Sequence, residues 1–158
     1  MDTLPDVDRS LPVGLTRDAG WQLGVRRTVR ADAEEIWHRL LNEWLLSWLE
    51  VDSVPQMVGA PLRRGELVRG RVTGCHVGRR IRLRWHPPQL DHETVFQVTL
   101  VEAAQGTTIA IHQERLLGPA ERQALLEHWT GILEEVVASY GGRGPLTADR
   151  TAPPVRPR

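Results

Sequence analysis

The chain has 158 residues, 41% of them hydrophobic and 25% charged, which is the content of one globular domain with a real core and excludes disorder throughout. Formal net charge is zero and the isoelectric point is near 7, so neither a dedicated nucleic-acid binder nor a membrane-surface protein is expected. Cys75 is the sole cysteine, so no intrachain disulfide can form; with no signal-like N-terminus and no apolar run of membrane length, a cytoplasmic protein is expected.

Residues 1–19 mix Asp, Pro, Gly and Arg without periodicity and read as a loose leader. From Trp21, the residues Leu23, Val25 and Val29 alternate with Gln22, Arg26, Thr28 and Arg30, the period of a strand with one wet face. Asp32 then caps a helix, with Glu35 three residues on reaching back. Its apolar positions are Ile36, Trp37, Leu40, Leu41, Trp44, Leu45 and Trp48, and a break near Asn42 into two short helices is expected, with Pro55 as the latest stop.

Next comes a run of antiparallel strands. Leu67–Thr73 is closed by Gly74, and Arg80–Trp85 puts Ile81, Leu83 and Trp85 opposite Arg80, Arg82 and Arg84 before Pro87-Pro88 ends it. Thr94–Val101 follows, then a hairpin turn at Ala104-Gln105-Gly106, then Thr107–Glu114 with Ile109, Ile111 and Gln113 on one face. Pro119–Tyr140, entered through Gly118 and left through Gly141-Gly142, carries an apolar stripe that includes Trp129 and Leu133. Its 22 residues make a helix of about 33 Å, long enough to cross a small sheet. Residues 142–158, rich in Gly, Pro and Arg, read as a disordered tail. The domain of residues 20–141 is therefore α+β, a curved antiparallel sheet wrapped on the last helix, with space for a ligand between them.

Chemistry-bearing patterns are sparse. Cys75 and His76 are strand neighbours and point to opposite faces, which makes them a poor nucleophile and base. The six histidines show no compact ligand spacing; His86 and His92 flank a proline loop and could hold a metal only if folded together, and no cofactor or metal is expected. Gly65, Gly70, Gly74 and Gly78 read as turns and strand bends. All twenty basic residues are arginine, and eight of them crowd into residues 63–84 with Glu66 the only acid. That outer face either attracts an acidic protein partner or is a solvated face paired with glutamates such as Glu93 and Glu102. Six tryptophans stand beside one Phe and one Tyr. They are core bulk or the walls of a pocket for a flat hydrophobic guest, and a buried indole N–H needs an acceptor. Gln113 is expected to face inward.

Several stretches together resemble the START-like (SRPBCC) superfamily, and within it homologues of the heat-shock protein 90 ATPase activator. They are Arg27-Thr28-Val29-x-Ala31, Trp48-Leu49, Ile81-Arg82-Leu83-Arg84-Trp85, Thr94-Val95-Phe96-Gln97-Val98, Gly106-Thr107-Thr108-Ile109-x-Ile111-His112-Gln113, and Glu121-Arg122 followed by Trp129 and Leu133, spanning about Trp21 to Tyr140. The resemblance implies a helix-grip (START/Bet v-like) fold with an internal cavity and carries no shared catalytic motif. Its members include lipid carriers, polyketide aromatase/cyclases, chaperone regulators and self-resistance proteins.

The expectation is thus non-catalytic binding of a hydrophobic, polyketide-like molecule by residues among Trp37, Trp48, Leu83, Trp85, Phe96, Gln113, Trp129 and Leu133. A polyketide aromatase/cyclase and a chaperone-regulating interaction module are the alternatives. Oligomeric state is not legible.

Overall fold

The computed structural model describes residues 14–16 and 20–141; the expected tail, residues 142–158, and most of the leader lie outside them. Strand β1 (Leu15–Thr16) precedes β2 (Gly20–Val29) and pairs with it, so Leu15 and Thr16 of the leader belong to the sheet. Two short helices follow, α1 (Ala33–Arg39) and α2 (Leu45–Leu49), then strands β3 (Pro61–Arg64), β4 (Leu67–His76), β5 (Arg80–Trp85), β6 (Thr94–Ala103) and β7 (Gly106–Leu116), and the long helix α3 (Pro119–Ser139).

The seven strands form one antiparallel sheet in the order β1-β2-β7-β6-β5-β4-β3. Strands β3 to β7 are a meander, as short connections dictate. Strand β2 crosses to the far side of β7, so the first long strand and the last lie side by side. The inner face buries Leu23, Ile81, Leu83, Phe96, Val98 and Ile109, and α3 covers it with Trp129, Leu133 and Val136. The α+β class and the sheet-on-helix layout thus stand.

Boundaries moved where local sequence was ambiguous. The two short helices expected on either side of Asn42 are present, but no gap separates them: residues 40–44 form one wider π-helical turn joining α1 to α2, so the helical run is continuous from 33 to 49. Asn42 holds on through its side chain, which donates to the His38 carbonyl at 2.8 Å. The run ends at Glu50 in a left-handed conformation (φ 57°), five residues before Pro55, with the amides of Glu50 and Val51 both donating to Leu46 O. Strand β4 passes through Gly74 to His76, with the register slipping between Val72 and Gly74. Strands β6 and β7 each run two residues past their expected C-terminal ends, and β3 had not been expected.

Asp32 caps α1 as expected, its side chain accepting from the Glu35 amide at 2.9 Å. Gly118 and Pro119 open α3, and Glu121 reaches back to accept from the Leu117 amide at 3.1 Å. No helix among the described residues is long and apolar enough to cross a membrane.

Candidate functional site

Strand alternation and helical periodicity bring most of the expected site residues together. Trp85 from β5 and Phe96 from β6 lie on the inner face with ring centroids 5.6 Å apart. Trp129 from α3 rests on both, 5.0 Å from Phe96 and 6.4 Å from Trp85. Trp48 from α2 meets the edge of Trp129 at 6.0 Å and stacks on Trp44, also at 6.0 Å and nearly parallel. The result is a five-ring chain from half-buried Trp44 and Trp48 to the buried Trp129, Trp85 and Phe96. Leu83 and Leu133 are fully buried in the same core.

Gln113 faces inward as expected, and both ends of its amide have a partner, with one N–H of Nε2 left over. Its Oε1 accepts from Trp129 Nε1 at 2.9 Å, and its Nε2 donates to Thr94 Oγ1 at 3.0 Å; Thr94 in turn donates to the Trp85 carbonyl. Trp85 Nε1 donates to the Leu49 carbonyl at 3.2 Å, tying the end of α2 to the sheet. Both indole N–H groups and both ends of the amide are thereby placed, which is what burial of amide and indole groups requires.

Trp37 departs from the expected group. It is buried under the segment after α2, with Nε1 donating to Gln56 Oε1 at 2.9 Å, and it makes no ring contact with the chain of five. Trp44 replaces it; the four-residue spacing to Trp48, which puts both on one helix face, was the available signal. Rings at 5.0–6.4 Å centroid separation are in contact, so the seam between them is filled by side chains.

Beside Trp44 lies a second polar group. The Arg39 guanidinium stacks on Trp44 (5.1 Å) and Tyr140 (5.6 Å), and donates to Tyr140 Oη and to Glu43. Tyr140 donates to Glu35 Oε2 at 3.2 Å. Burial pushes the Tyr140 phenol above its usual value; the Arg39 bond and charge pull it down, and Glu35 pushes it up again.

The other candidate chemistry is dispersed. Cys75 is packed against the core and His76 is exposed; burial raises the Cys75 thiol, the reverse of activation. His86 Nε2 donates to the Leu90 carbonyl and His92 Nε2 donates to Glu121 at the start of α3, so the two rings serve different partners. Gly70 and Gly74 lie inside β4. Of the arginine-rich face, Arg84 pairs with Glu93 at 3.1 Å and Arg82 with Glu114 at 3.1 Å. Arg69 and Arg71 donate to the carbonyls of His86 and Gly59.

No protein-family model and no curated protein matches the chain. Solved structures do. Protein CV1439 from Chromobacterium violaceum superposes with a TM-score of 0.59 at 19% identity, covering 77% of this chain and 97% of its own. DynU16, from the dynemicin biosynthetic locus, gives 0.61 at 20% identity over 74% of this chain, which spans 46% of DynU16. CalU16 from Micromonospora echinospora gives 0.50 at 13% identity, over 75% of this chain and 70% of its own. At such identities the likeness is one of fold.

Proposed function

We propose that this chain binds a flat, hydrophobic, polyketide-like small molecule in the aromatic seam between sheet and long helix, and that it does so without catalysis. One observation carries the reading: a half-buried stacked pair, Trp44 and Trp48, continues ring to ring into the buried Trp129, Trp85 and Phe96. Such a path offers a planar guest stacking surfaces from solvent to core. Because the seam is filled, the guest enters by parting Trp48 from Trp129 and is held between the two rings. Gln113 and Thr94 are the polar groups available to orient a guest carbonyl or hydroxyl, and neither titrates, which favours positioning over proton shuttling. The likeness to DynU16, a protein of a biosynthetic locus, supports a natural-product guest.

The close packing favours a second reading, a protein-interaction module meeting an acidic partner through Arg80, Arg82 and Arg84. Titration with an anthraquinone separates the two. Four of the chain's six tryptophans belong to the seam, so saturable quenching of indole fluorescence, weakened about tenfold or more by Trp48→Ala, is expected. Unchanged fluorescence, together with an apo mass for protein purified from its own host in native mass spectrometry, rejects the first reading.

A further inference from the structure

Beyond the seam, an open depression of about 810 Å³ lies on the outer face where β2, β7, β6 and β5 run side by side, and Leu126 and Thr130 of α3 also line it. Register explains its shape. One row across the strands is Gly24, His112, Gln97 and Arg82; the next is Arg26, Ala110, Thr99 and Arg80. Gly24, Ala110 and Thr99 make a floor of small side chains, with long side chains around it.

The rim is wired. Arg82 donates to Gln97 Oε1 at 3.0 Å and to Glu114 Oε1 at 3.1 Å, and His112 Nε2 donates to Glu114 Oε2 at 2.9 Å. Glu114, whose side chain is only 17% exposed, thereby has both oxygens engaged and holds the Arg82 guanidinium in one plane. Two bonds leave Arg82 with further N–H groups to donate. On the opposite side, three strand spacings or about 14 Å away, Arg26 is exposed and makes no ion pair among the described residues, whereas its neighbour Arg27 is paired with Glu134. Of the arginines that line the depression, Arg82 is paired with Glu114 and Arg27 with Glu134, so Arg26 is the one without an ion pair among the described residues.

We propose that this depression binds a small organic carboxylate with a flat body, lying on Gly24, Ala110 and Thr99 with its carboxylate on Arg26. A carboxylate supplies the single negative charge that Arg26 lacks. The planar floor, ended by Val101 and Leu126, suits a ring rather than an extended chain. Neither the seam nor its aromatic rings take part.

The test is an amide NMR titration of the whole chain with 2-naphthoate, and with neutral 2-naphthalenemethanol beside it. Shifts at the Gly24, Ala110 and His112 amides are expected, with 2-naphthoate bound about tenfold or more tightly than the alcohol. Arg26→Gln, which disturbs no ion pair among the described residues, removes that preference, and Ala110→Leu fills the floor and abolishes the shifts. Quenching of the seam tryptophans by an anthraquinone stays the same in Arg26→Gln, so the two sites fail separately. Shifts confined to the indole N–H signals, an affinity untouched by Arg26→Gln, or hexaglutamate moving these amides when 2-naphthoate does not, each overturns the proposal.

Discussion

Gln113 shows how far one side chain can be placed from its neighbours in sequence. Strand alternation with Ile109 and Ile111 put it inward, where the structure has it. Its partners were not legible, because Thr94 and Trp129 come from other elements and only packing brings them within 3.0 Å. Tyr140 offers a direct test at the same scale, since it is the only tyrosine and its ionisation is read alone at 295 nm. Burial is the largest influence and raises it, so alkaline titration of the folded protein gives a midpoint above 10. Arg39→Gln removes the bond and charge that lower it and moves the midpoint further up; Glu35→Gln moves it down. The unfolded phenol ionises first, so folding stability is intact below pH 10 and declines as pH rises through the raised value. A midpoint at or below 10, or one unmoved by Arg39→Gln, refutes the arrangement.

Elements whose apolar period is unbroken were legible almost to the residue: β5 matches at both ends, and α3 begins at Pro119. Those shaped by partners were not. Strand β3 has one buried residue, Leu62, in four, too few to show a period, and exists because β4 offers it a register. The π-helical turn looks like an interruption because the widened turn shifts the apolar face mid-run. Glycine inside β4 was read as a bend, but Gly70 is there for proximity: a Cβ at this position would lie 2.0 Å from the Arg84 carbonyl oxygen and 2.9 Å from Trp85 Cα, both backbone. Backbone cannot rotate away, so Gly70→Ala forces β4 off β5 and costs about 1–3 kcal/mol, as overpacking does. Gly74→Ala is the control, its nearest neighbour being Arg82 Cβ at an ordinary 3.6 Å. Denaturant midpoints check this: a large fall for the first and little change for the second, with equal effects counting against the close approach.

At the scale of the whole molecule, the layout followed from counting surfaces: a sheet with one apolar face and one long amphipathic helix have only each other to cover. What sequence could not convey is that the interior between them is filled, since five rings and Gln113 meet through contacts far apart in the chain. Nor could it show that β2 pairs with β7, the pairing that joins the two ends of the domain. That pairing ranks the strands in stability. Strands β6 and β7 are flanked on both sides over most of their length, and parting them unseats Phe96, Ile109 and Gln113 at once. Strand β3 is a four-residue edge whose release uncovers only Leu62. Native-state hydrogen exchange therefore places the slowest amides at Val98, Ile109 and Ile111, exchanging only through global unfolding, and the β3 amides faster than those of β4 to β7 through local opening. An anthraquinone in the seam slows the first class, because a guest held against Trp129 stabilises the folded state as a whole, and leaves the β3 amides unchanged. Protection of β3 equal to that of β7 would mean that the sheet opens as a single unit, contrary to this ranking.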